Sequence, residues 1–308
     1  MTEQQLTIPT RGRFAPSPTG PLHFGSLIAA VGSCLQARRR GGQWLVRMED
    51  LDKPREVAGA ADDILRTLER FGMAWDGPVM YQSQREEAYQ AALQRLMAND
   101  AVYPCGCSRK EIAAQGRPGP EGIIYPGICR HGLPPGKTAR AIRLHAQGHT
   151  LAFVDQLQGA CEQDLEKEVG DFIIRRADGL FAYQLAVVVD DAEQGITEVV
   201  RGTDLLLSTP RQILLQRLLN LPTPDYLHLP IAVNEQGEKL SKQTGASAVD
   251  TDHPVPELVK VMMALDHTPP RGLHKASVKE FWEWALSAWD PAALPRQREL
   301  RLAADLRF

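Results

Sequence analysis

Three short stretches of the sequence combine residue types and spacings that could carry chemistry. Residues 23–26 (HFGS) place a histidine and two small residues between a proline- and glycine-rich turn and an apolar helical pattern. Residues 238–245 (EKLSKQTG) place two lysines around a serine. Cysteines at 105, 107 and 129 surround the start of a segment rich in glycine and proline. The first two stretches could bind phosphate, and the third offers thiolates for a metal ion.

The turn before residue 26 could bind the phosphates of a nucleotide. A helix N-terminus exposes unpaired N–H groups and a partial positive charge, which attract phosphate. Gly25 would let the backbone approach a base or ribose closely, and His23 could donate a hydrogen bond to phosphoryl oxygens. The alternative is a capped helix with an incidental histidine. For Lys239 and Lys242 the alternative is a solvated surface loop, although lysine suits phosphates whose geometry changes during a reaction.

Alternating elements predict an α/β protein with a parallel sheet. A helix, a buried strand and two amphipathic helices are indicated at residues 26–40, 44–48, 59–72 and 85–100. The pattern resumes with a strand at 196–202 and a helix at 209–221. We therefore expect residues 1–100 and 191–245 to be two halves of one domain. Residues 246–308 are predicted to form a helical C-terminal region.

Residues 101–190 differ in composition and are predicted to be an insertion. Residues 116–137 contain so much glycine and proline that they cannot hold a regular element. Several β-like pieces follow them. The last of these is predicted to be a hairpin strand over residues 180–191, because Asp178 and Gly179 form a turn signal before it.

The bulk composition excludes several classes of protein. A chain of 308 residues with 43% hydrophobic residues can form a sizeable core and more than one domain. A net charge of −3 means that contacts with nucleic-acid phosphates must come from local patches. Five cysteines argue against a disulfide framework. The N-terminus lacks the features of a signal peptide, and the apolar run at 185–189 is far shorter than the ~20 residues of a membrane span. We expect a cytoplasmic protein without membrane contact.

Several motifs resemble those of class I aminoacyl-tRNA synthetases. HFGS is similar to their HIGH signature, and KLSKQ at 239–243 is similar to their KMSKS loop. The stretches RFAPSPTGPLHFGSL, LVRMEDLDKPRE, FAYQLAVVVDD and VVRGTDLL resemble the glutamyl-tRNA synthetase group. The resemblance runs from about residue 11 to 245. It implies a Rossmann-type catalytic domain that carries a zinc-containing insertion.

Two departures from that group point to a narrower resemblance. Ser26 replaces the second histidine of the HIGH signature. Only 66 residues follow Lys242, too few for the large anticodon-binding region of a full glutamyl-tRNA synthetase. This pattern, together with a Cys-x-Cys insertion, is similar to the glutamyl-Q tRNA(Asp) synthetase family. Ser26 agrees with that family's pattern.

The resemblance implies a reaction and its participants. The family activates L-glutamate with ATP and attaches the glutamyl group to queuosine at the wobble position of tRNA(Asp). ATP with Mg²⁺, a queuosine-carrying anticodon stem-loop and a monomeric enzyme are therefore expected. Three alternatives remain open: a truncated synthetase that charges the 3′ end of tRNA(Glu) or tRNA(Gln), a nucleotidyltransferase for a small metabolite, and a catalytically inactive tRNA-binding paralogue.

The resemblance also implies roles for individual residues. Glutamate contacts are implied for Arg13, Phe14, Ala15, Pro16, Ser17, Glu49, Tyr183 and Arg201. ATP contacts are implied for His23, Gly25, Ser26, Lys239 and Lys242, with His23 and Lys242 as the catalytic pair. Arg13 is the expected carboxylate clamp, and Glu49 is expected to hold the α-ammonium group. The alternative for Arg201 is an ordinary surface ion pair; His228 could line the adenine pocket or be a packed histidine.

The cysteine cluster is one ligand short of a structural zinc site. Cys105, Cys107 and Cys129 supply three thiolates, whereas structural zinc prefers four ligands. The family completes its site with a tyrosine, and Tyr125 falls at the matching position. His131 is a rival on general zinc chemistry, and three unligated cysteines are the remaining alternative. A bound zinc would stabilise a loop that has little core of its own.

Overall fold

The computed structural model describes residues 9–234, 236–240 and 247–301. Its helices come mainly from the amphipathic segments of the sequence, and several begin with a capping serine, aspartate or histidine. They are α1 (Phe24–Arg38), α2 (Ala60–Arg70), α3 (Glu86–Ala98), α4 (Arg109–Gln115), α5 (Leu165–Glu168), α6 (Tyr183–Glu193), α7 (Thr209–Leu218), α8 (Pro254–Ala264) and α9 (Val278–Ala288). The helices predicted at 26–40, 59–72, 85–100 and 209–221 correspond to α1, α2, α3 and α7.

The strands are short, and those nearest the cavity described below are parallel. They are β1 (Arg11–Phe14), β2 (Gln43–Met48), β3 (Met80–Tyr81), β4 (Val102–Cys105), β5 (Arg117–Gly119), β6 (Gly122–Ile124), β7 (Ala141–Leu144), β8 (Thr150–Asp155), β9 (Gly159–Asp164), β10 (Phe172–Arg175), β11 (Glu198–Gly202), β12 (Asp225–Leu229), β13 (Ile231–Val233) and β14 (Glu299–Arg301). The parallel α/β class predicted from the sequence is confirmed.

Two sheets form the centre of the molecule. One has the order β1-β2-β3 and is parallel, and the other has the order β11-β12-β8-β9. They meet at β1 and β11, where the Thr197 N–H donates to the Arg11 carbonyl oxygen at 2.9 Å. Helix α1 packs on β1 and β11 at this seam. It also lies close to the neighbouring strand β12, since a Cβ on Gly32 would lie 2.4 Å from Leu229 Cδ1. The close approach places the N-terminus of α1 beside the carboxyl ends of the parallel strands.

The segment predicted to be an insertion contributes to two different sheets. β4, β7 and β10 form an antiparallel sheet with the order β10-β7-β4. By contrast, the β8–β9 hairpin continues the β11–β12 sheet, with Asp155 opposite Tyr226 in parallel register. The domain boundaries at 100, 190 and 245 therefore stay a prediction, and the hairpin belongs to the central sheet by its hydrogen bonds.

The strand predicted over residues 180–191 is wrong, because most of this stretch is helix α6. The turn signal is present as Gly179 at φ +88°, and a short bridge pairs Arg175 with Phe181. The chain then turns into α6, which packs against α3 and α7. A short apolar run that is buried on several faces has no clear period, so strand and helix cannot be distinguished from its composition.

The tryptophans of the C-terminal region pack against the core. The Trp282 indole N–H donates to the Phe71 carbonyl oxygen at 2.8 Å, and that of Trp289 donates to Gln36 Oε1 at 2.9 Å. Helices α8 and α9 thereby cover α1. None of the described helices combines the length and the apolar character that crossing a bilayer requires.

Candidate active site and metal centre

A cavity of about 670 Å³ opens at the carboxyl ends of β1, β2 and β11, beside the start of α1. This is the edge at which open α/β sheets bind ligands. It brings together twelve of the thirteen residues predicted to contact glutamate or ATP: Arg13, Phe14, Ala15, Pro16, Ser17, His23, Gly25, Ser26, Glu49, Tyr183, Arg201 and Lys239. The thirteenth, Lys242, lies outside the described residues.

At the helix end of the cavity, His23 is the N-cap of α1. Its Nδ1 accepts a hydrogen bond from the Ser26 N–H at 3.3 Å, and its Nε2 lies 3.1 Å from Ser26 Oγ. A Cβ on Gly25 would lie 3.3 Å from the His23 ring and 3.5 Å from the Leu240 carbonyl oxygen. His23 therefore both caps the helix and lines the cavity, so the capped-helix and ligand-binding interpretations are compatible.

At the other end, Arg13 is buried in a network of charges. Its Nε donates to Asp191 Oδ1 at 3.0 Å, and Arg47 Nη1 donates to the same oxygen at 2.8 Å. The two guanidinium groups hold the pKa of Asp191 below its ordinary value although burial alone would raise it. Asp191 also accepts from Arg13 Nη2 at 3.5 Å, and Arg13 Nη1 donates to the Val200 carbonyl oxygen at 3.5 Å. Arg13 lines the cavity as well, so its charge lies within reach of an anionic ligand.

Arg201 is a buried cation for which no carboxylate partner exists among the described residues. Only 5% of it is exposed, so the surface ion pair considered above is wrong. Its Nε donates to His228 Nε2 at 3.0 Å and its Nη2 to Thr209 Oγ1 at 2.8 Å. Its Nη1 is buried and has no partner in the described structure. A buried charge in this state is costly unless an anion completes the site.

Glu49 and Tyr183 complete this end of the cavity. Glu49 follows β2, its side chain is 10% exposed, and Arg47 Nη2 lies 3.4 Å from its Oε1. Burial raises the pKa of Glu49 above its ordinary value, and the charges of Arg47 and Arg13 oppose this only in part. Burial likewise raises the pKa of Tyr183 to about 12, so its phenol is a donor at neutral pH. A cationic group bound beside Glu49 would favour its charged form.

Three buried charged residues that hold the cavity arginines or His228 were not predicted as parts of the site: Asp191, Arg47 and Asp155, the buried partner of His228. Arg47 is fully buried near the end of the largely apolar strand β2. A charged residue in such a strand could have indicated a buried charge network, because a buried charge needs partners. His228, by contrast, does not line the cavity. It is fully buried and bound to Asp155 and Arg201, which favours the packed histidine over the adenine pocket.

The cysteines form a compact cluster at the start of the predicted insertion. The Sγ atoms of Cys105, Cys107 and Cys129 all lie within 4.8 Å of one another. The Tyr125 hydroxyl lies 3.5 Å from Cys105 Sγ and 3.6 Å from Cys107 Sγ. His131 is exposed and is not part of the cluster. Three thiols and a buried phenol at these distances fit a four-coordinate zinc site.

Arg143 supplies positive charge beside the cluster. Its Nε donates to Cys105 Sγ at 3.4 Å, and its guanidinium carbon lies 3.8 Å from the centre of the Tyr125 ring. Burial would raise the pKa of Cys105, but hydrogen bonds from Tyr125, the Cys107 backbone and Arg143 lower it to about 7. The pKa of Cys107, by contrast, is raised to about 11, mainly by burial. The Cys105 thiol is therefore the more easily ionised of the two, and a metal ion binds the thiolate form.

We expect the cluster to bind one zinc ion per chain. Cys129→Ser should lose most of the zinc and lower the melting temperature, since a structural zinc contributes folding free energy directly. Elemental analysis and thermal unfolding of the purified chain measure both effects. Cys161→Ser is the matched control, because Cys161 is half-buried on β9 and is not part of the cluster. Equal zinc content in both variants would contradict the assignment.

The fold and the cavity define the catalytic domain of a class I tRNA synthetase. The family described as tRNA synthetases class I (E and Q), catalytic domain, matches residues 9–283. A glutamate tRNA ligase from Elizabethkingia meningosepticum has the same fold, with a TM-score of 0.80 at 24% identity over 97% of this chain and 68% of that chain.

Two relatives narrow the family further. The glutamyl-Q tRNA(Asp) synthetase of Dechloromonas aromatica is 59% identical over 97% of this chain and 100% of the relative. That of Chromobacterium violaceum is 55% identical over 92% of this chain and 95% of the relative. The chain therefore belongs to the glutamyl-Q tRNA(Asp) synthetases, aminoacyl-tRNA synthetase-like ligases of class I. The family resemblance seen in the sequence is confirmed.

Proposed function

We propose that this ligase activates L-glutamate with ATP and transfers the glutamyl group to queuosine at the wobble position of tRNA(Asp). The names of its relatives support the acceptor, and the cavity supports the amino acid. The observation that carries the proposal is Arg201. It is a buried guanidinium without a described carboxylate partner, at the wall of a cavity that also holds Arg13 and Glu49.

Glutamate fits the charges at this end of the cavity. Among Arg13, Arg47, Arg201, Glu49 and Asp191, the cations outnumber the carboxylates by one. The two carboxylates of glutamate would pair with Arg13 and Arg201, and its ammonium group would pair with Glu49. Phe14, Ala15, Pro16 and Ser17, which follow or end β1, and the Tyr183 phenol form the remaining wall. A neutral side-chain amide, as in glutamine, would leave a buried guanidinium without its anion.

ATP is proposed to lie between the start of α1 and the KLSKQ loop. His23, Gly25, Ser26 and Lys239 line this part of the cavity, and Lys242 is proposed to join them. The α-carboxylate of glutamate attacks the α-phosphorus of ATP, the bond from that phosphorus to the bridging oxygen of the β-phosphate breaks, and glutamyl-adenylate and pyrophosphate form. Positioning and stabilisation of negative charge supply most of the catalysis, with Mg²⁺ accompanying the triphosphate.

The second step is proposed to esterify the modified nucleoside. A queuosine hydroxyl attacks the acyl carbon of the adenylate, the acyl–phosphate bond breaks, and AMP leaves. The anticodon loop must then reach the cavity, and the enzyme is proposed to act as a monomer. Zinc held by Cys105, Cys107, Cys129 and Tyr125 is proposed to stabilise the fold rather than to take part in the chemistry.

Labelled glutamate transfer tests this function. With ATP, we expect incorporation into tRNA(Asp) that carries queuosine and none into the same tRNA with unmodified guanosine. Incorporation into tRNA(Glu) or tRNA(Gln) regardless of queuosine would favour a synthetase that charges the 3′ end instead. Loss of both transfer and glutamate-dependent pyrophosphate exchange would favour a tRNA-binding paralogue.

A further inference from the structure

Behind Arg201, away from the cavity, lies a chain of buried polar groups. Asp155 ends β8, and His228 lies on β12 directly opposite Arg201 of β11 in the parallel register. Asp155 Oδ2 lies 2.6 Å from His228 Nδ1, and Arg201 Nε lies 3.0 Å from His228 Nε2. Asp155 and His228 are both almost completely buried and neither lines the cavity. Asp155 and His228 therefore form hydrogen bonds with protein groups rather than with water.

The hydrogen bonds determine which nitrogen of His228 carries the proton. Arginine can only donate, so Nε2 must accept from the Arg201 Nε–H. Burial lowers the pKa of His228 to about 4, against the opposing effect of Asp155, so the ring is neutral near pH 7. A neutral ring with an accepting Nε2 carries its hydrogen on Nδ1, where the Asp155 carboxylate receives it. Asp155 thus selects the tautomer that Arg201 needs.

We propose that Asp155 and His228 are positioning residues that orient Arg201 toward the substrate carboxylate. This rests on the proposed function, because it requires Arg201 to contact glutamate. His228 takes the Nε–H, while Thr209 Oγ1 at 2.8 Å and the Leu205 carbonyl oxygen at 3.4 Å take Nη2. Nη1 has no hydrogen-bond partner in the described structure and is shielded from water, and it is the proposed donor to the carboxylate of a ligand in the cavity that Arg201 lines.

The neutrality of the acceptor matters as much as its position. A carboxylate at the place of His228 would neutralise Arg201 and leave little charge for the substrate. A neutral imidazole orients the guanidinium through a single hydrogen bond and leaves its charge uncompensated. The Asp155 carboxylate lies on the far side of the imidazole ring from Arg201. There its Oδ1 also accepts the backbone N–H groups of Leu157 at 3.0 Å and Gln158 at 2.8 Å. His228 therefore orients the Arg201 guanidinium, while the positive charge of that group stays available for the substrate carboxylate.

Two amides in place of His228 test the proposal. The longer amide introduced by His228→Gln can bring its oxygen to the position of Nε2 and accept from Arg201, whereas the shorter amide of His228→Asn replaces only the Nδ1 side. We expect the glutamate KM in pyrophosphate exchange to stay within about threefold of wild type for His228→Gln. For His228→Asn it should rise at least about tenfold, because a small displacement of a substrate-orienting group is enough. The ATP KM should be unchanged in both.

A purely structural role for His228 predicts the opposite order. His228→Asn keeps a partner for Asp155 and His228→Gln does not, so a structural role would make the Gln variant the worse one. Equal glutamate KM values in the two variants, or parallel changes in the ATP KM, would overturn the proposal. Absence of glutamate-dependent exchange in the wild-type protein would instead refute the proposed function.

Asp155→Asn decides the matter if a His228 variant does not fold. Oδ1 accepts the backbone N–H groups of Leu157 and Gln158, whereas the His228 N–H is shared between Oδ1 at 3.2 Å and Oδ2 at 3.1 Å, so the amide oxygen of the variant should take the Oδ1 side. Its NH₂ then faces Nδ1 and moves the histidine proton to Nε2, against the Arg201 donor. We expect a rise of at least about tenfold in the glutamate KM. Asp225→Asn, at the exposed start of β12, is the matched control; a wild-type KM in Asp155→Asn would overturn the proposal.

Discussion

Replacement of Arg201 by methionine is expected to lower kcat/KM for glutamate at least about 100-fold. The loss follows from removing one member of a buried charge pair with the substrate carboxylate, which typically costs about 2–5 kcal/mol. Pyrophosphate exchange in the presence of tRNA, with glutamate as the varied substrate, measures it. A change of less than about tenfold would refute the contact between Arg201 and glutamate.

The same variant is expected to be at least as stable as the wild type. Arg201 has no described carboxylate partner, so its removal leaves no protein anion unpaired. Thr209 Oγ1 lies 3.2 Å from His228 Nε2 and can donate to it when the guanidinium is gone. Exchange of a buried charge for an apolar side chain of similar volume is often neutral or stabilising. Urea unfolding measures this.

Arg13→Met is the matched variant against which the unfolding stability of Arg201→Met is compared. Arg13 shares Asp191 with Arg47, so its loss weakens a buried ion pair and should lower the free energy of unfolding. Both arginines face the same cavity and should lose activity alike. If Arg201→Met proved as destabilising as Arg13→Met, Arg201 would be a structural residue and not a vacant binding group.

Asp191→Asn is expected to lower the free energy of unfolding by about 3–5 kcal/mol at neutral pH. The change leaves Arg13 and Arg47 buried without their shared carboxylate, and the amide NH₂ would face a guanidinium donor. Urea unfolding with circular dichroism measures the loss. Glu193→Gln on the same helix is the control, since the Glu193 side chain is 55% exposed and its pair with Arg85 should contribute less than about 1 kcal/mol. Equal losses in both variants would contradict the prediction.

The pH dependence of the difference gives a second test. The pKa of Asp191 is held below its ordinary value in the folded chain. Its stabilisation is therefore fully present above the unfolded pKa of about 4 and is lost as the pH falls through the lower folded pKa. The difference between the wild type and Asp191→Asn should stay constant from about pH 5 to 8 and shrink only in stronger acid. A difference that shrinks near pH 6 would identify another titrating group.

The cavity-lining residues could be predicted because they are held by local motifs. Arg13 to Ser17 lie at the end of one strand and just after it, Glu49 follows the next strand, and His23 caps a helix with an apolar sequence pattern. Family motifs place such residues at fixed positions, and the cavity brings them together. The role of each residue remains to be tested by the variants above.

The network behind the cavity could not be predicted, because its bonds join distant parts of the chain. The sequence pattern puts Asp190 and Asp191 on a strand, although they lie on α6. As neighbours on a helix they point to different partners: Asp190 accepts from Tyr89 and Arg85, and Asp191 from Arg13 and Arg47. A strand and a helix group different side chains on one face, so a strand prediction for this helix does not indicate which charged residues are in contact. The contact of Asp155 with His228 could not be predicted either. The sequence pattern assigns its strand to the insertion, whereas β8 pairs with β12 in the central sheet.

The pairing of Arg13 with Asp191 also affects how the protein is made. The two residues are separated by 178 positions. At ~5–20 residues per second, a ribosome needs roughly 10–40 s to synthesise that interval. During this time β1 and β2 have emerged with Arg13 and Arg47, but their anion does not yet exist. The pair of Arg13 and Asp191, and with it the proposed glutamate site, can therefore form only after most of the chain has been synthesised.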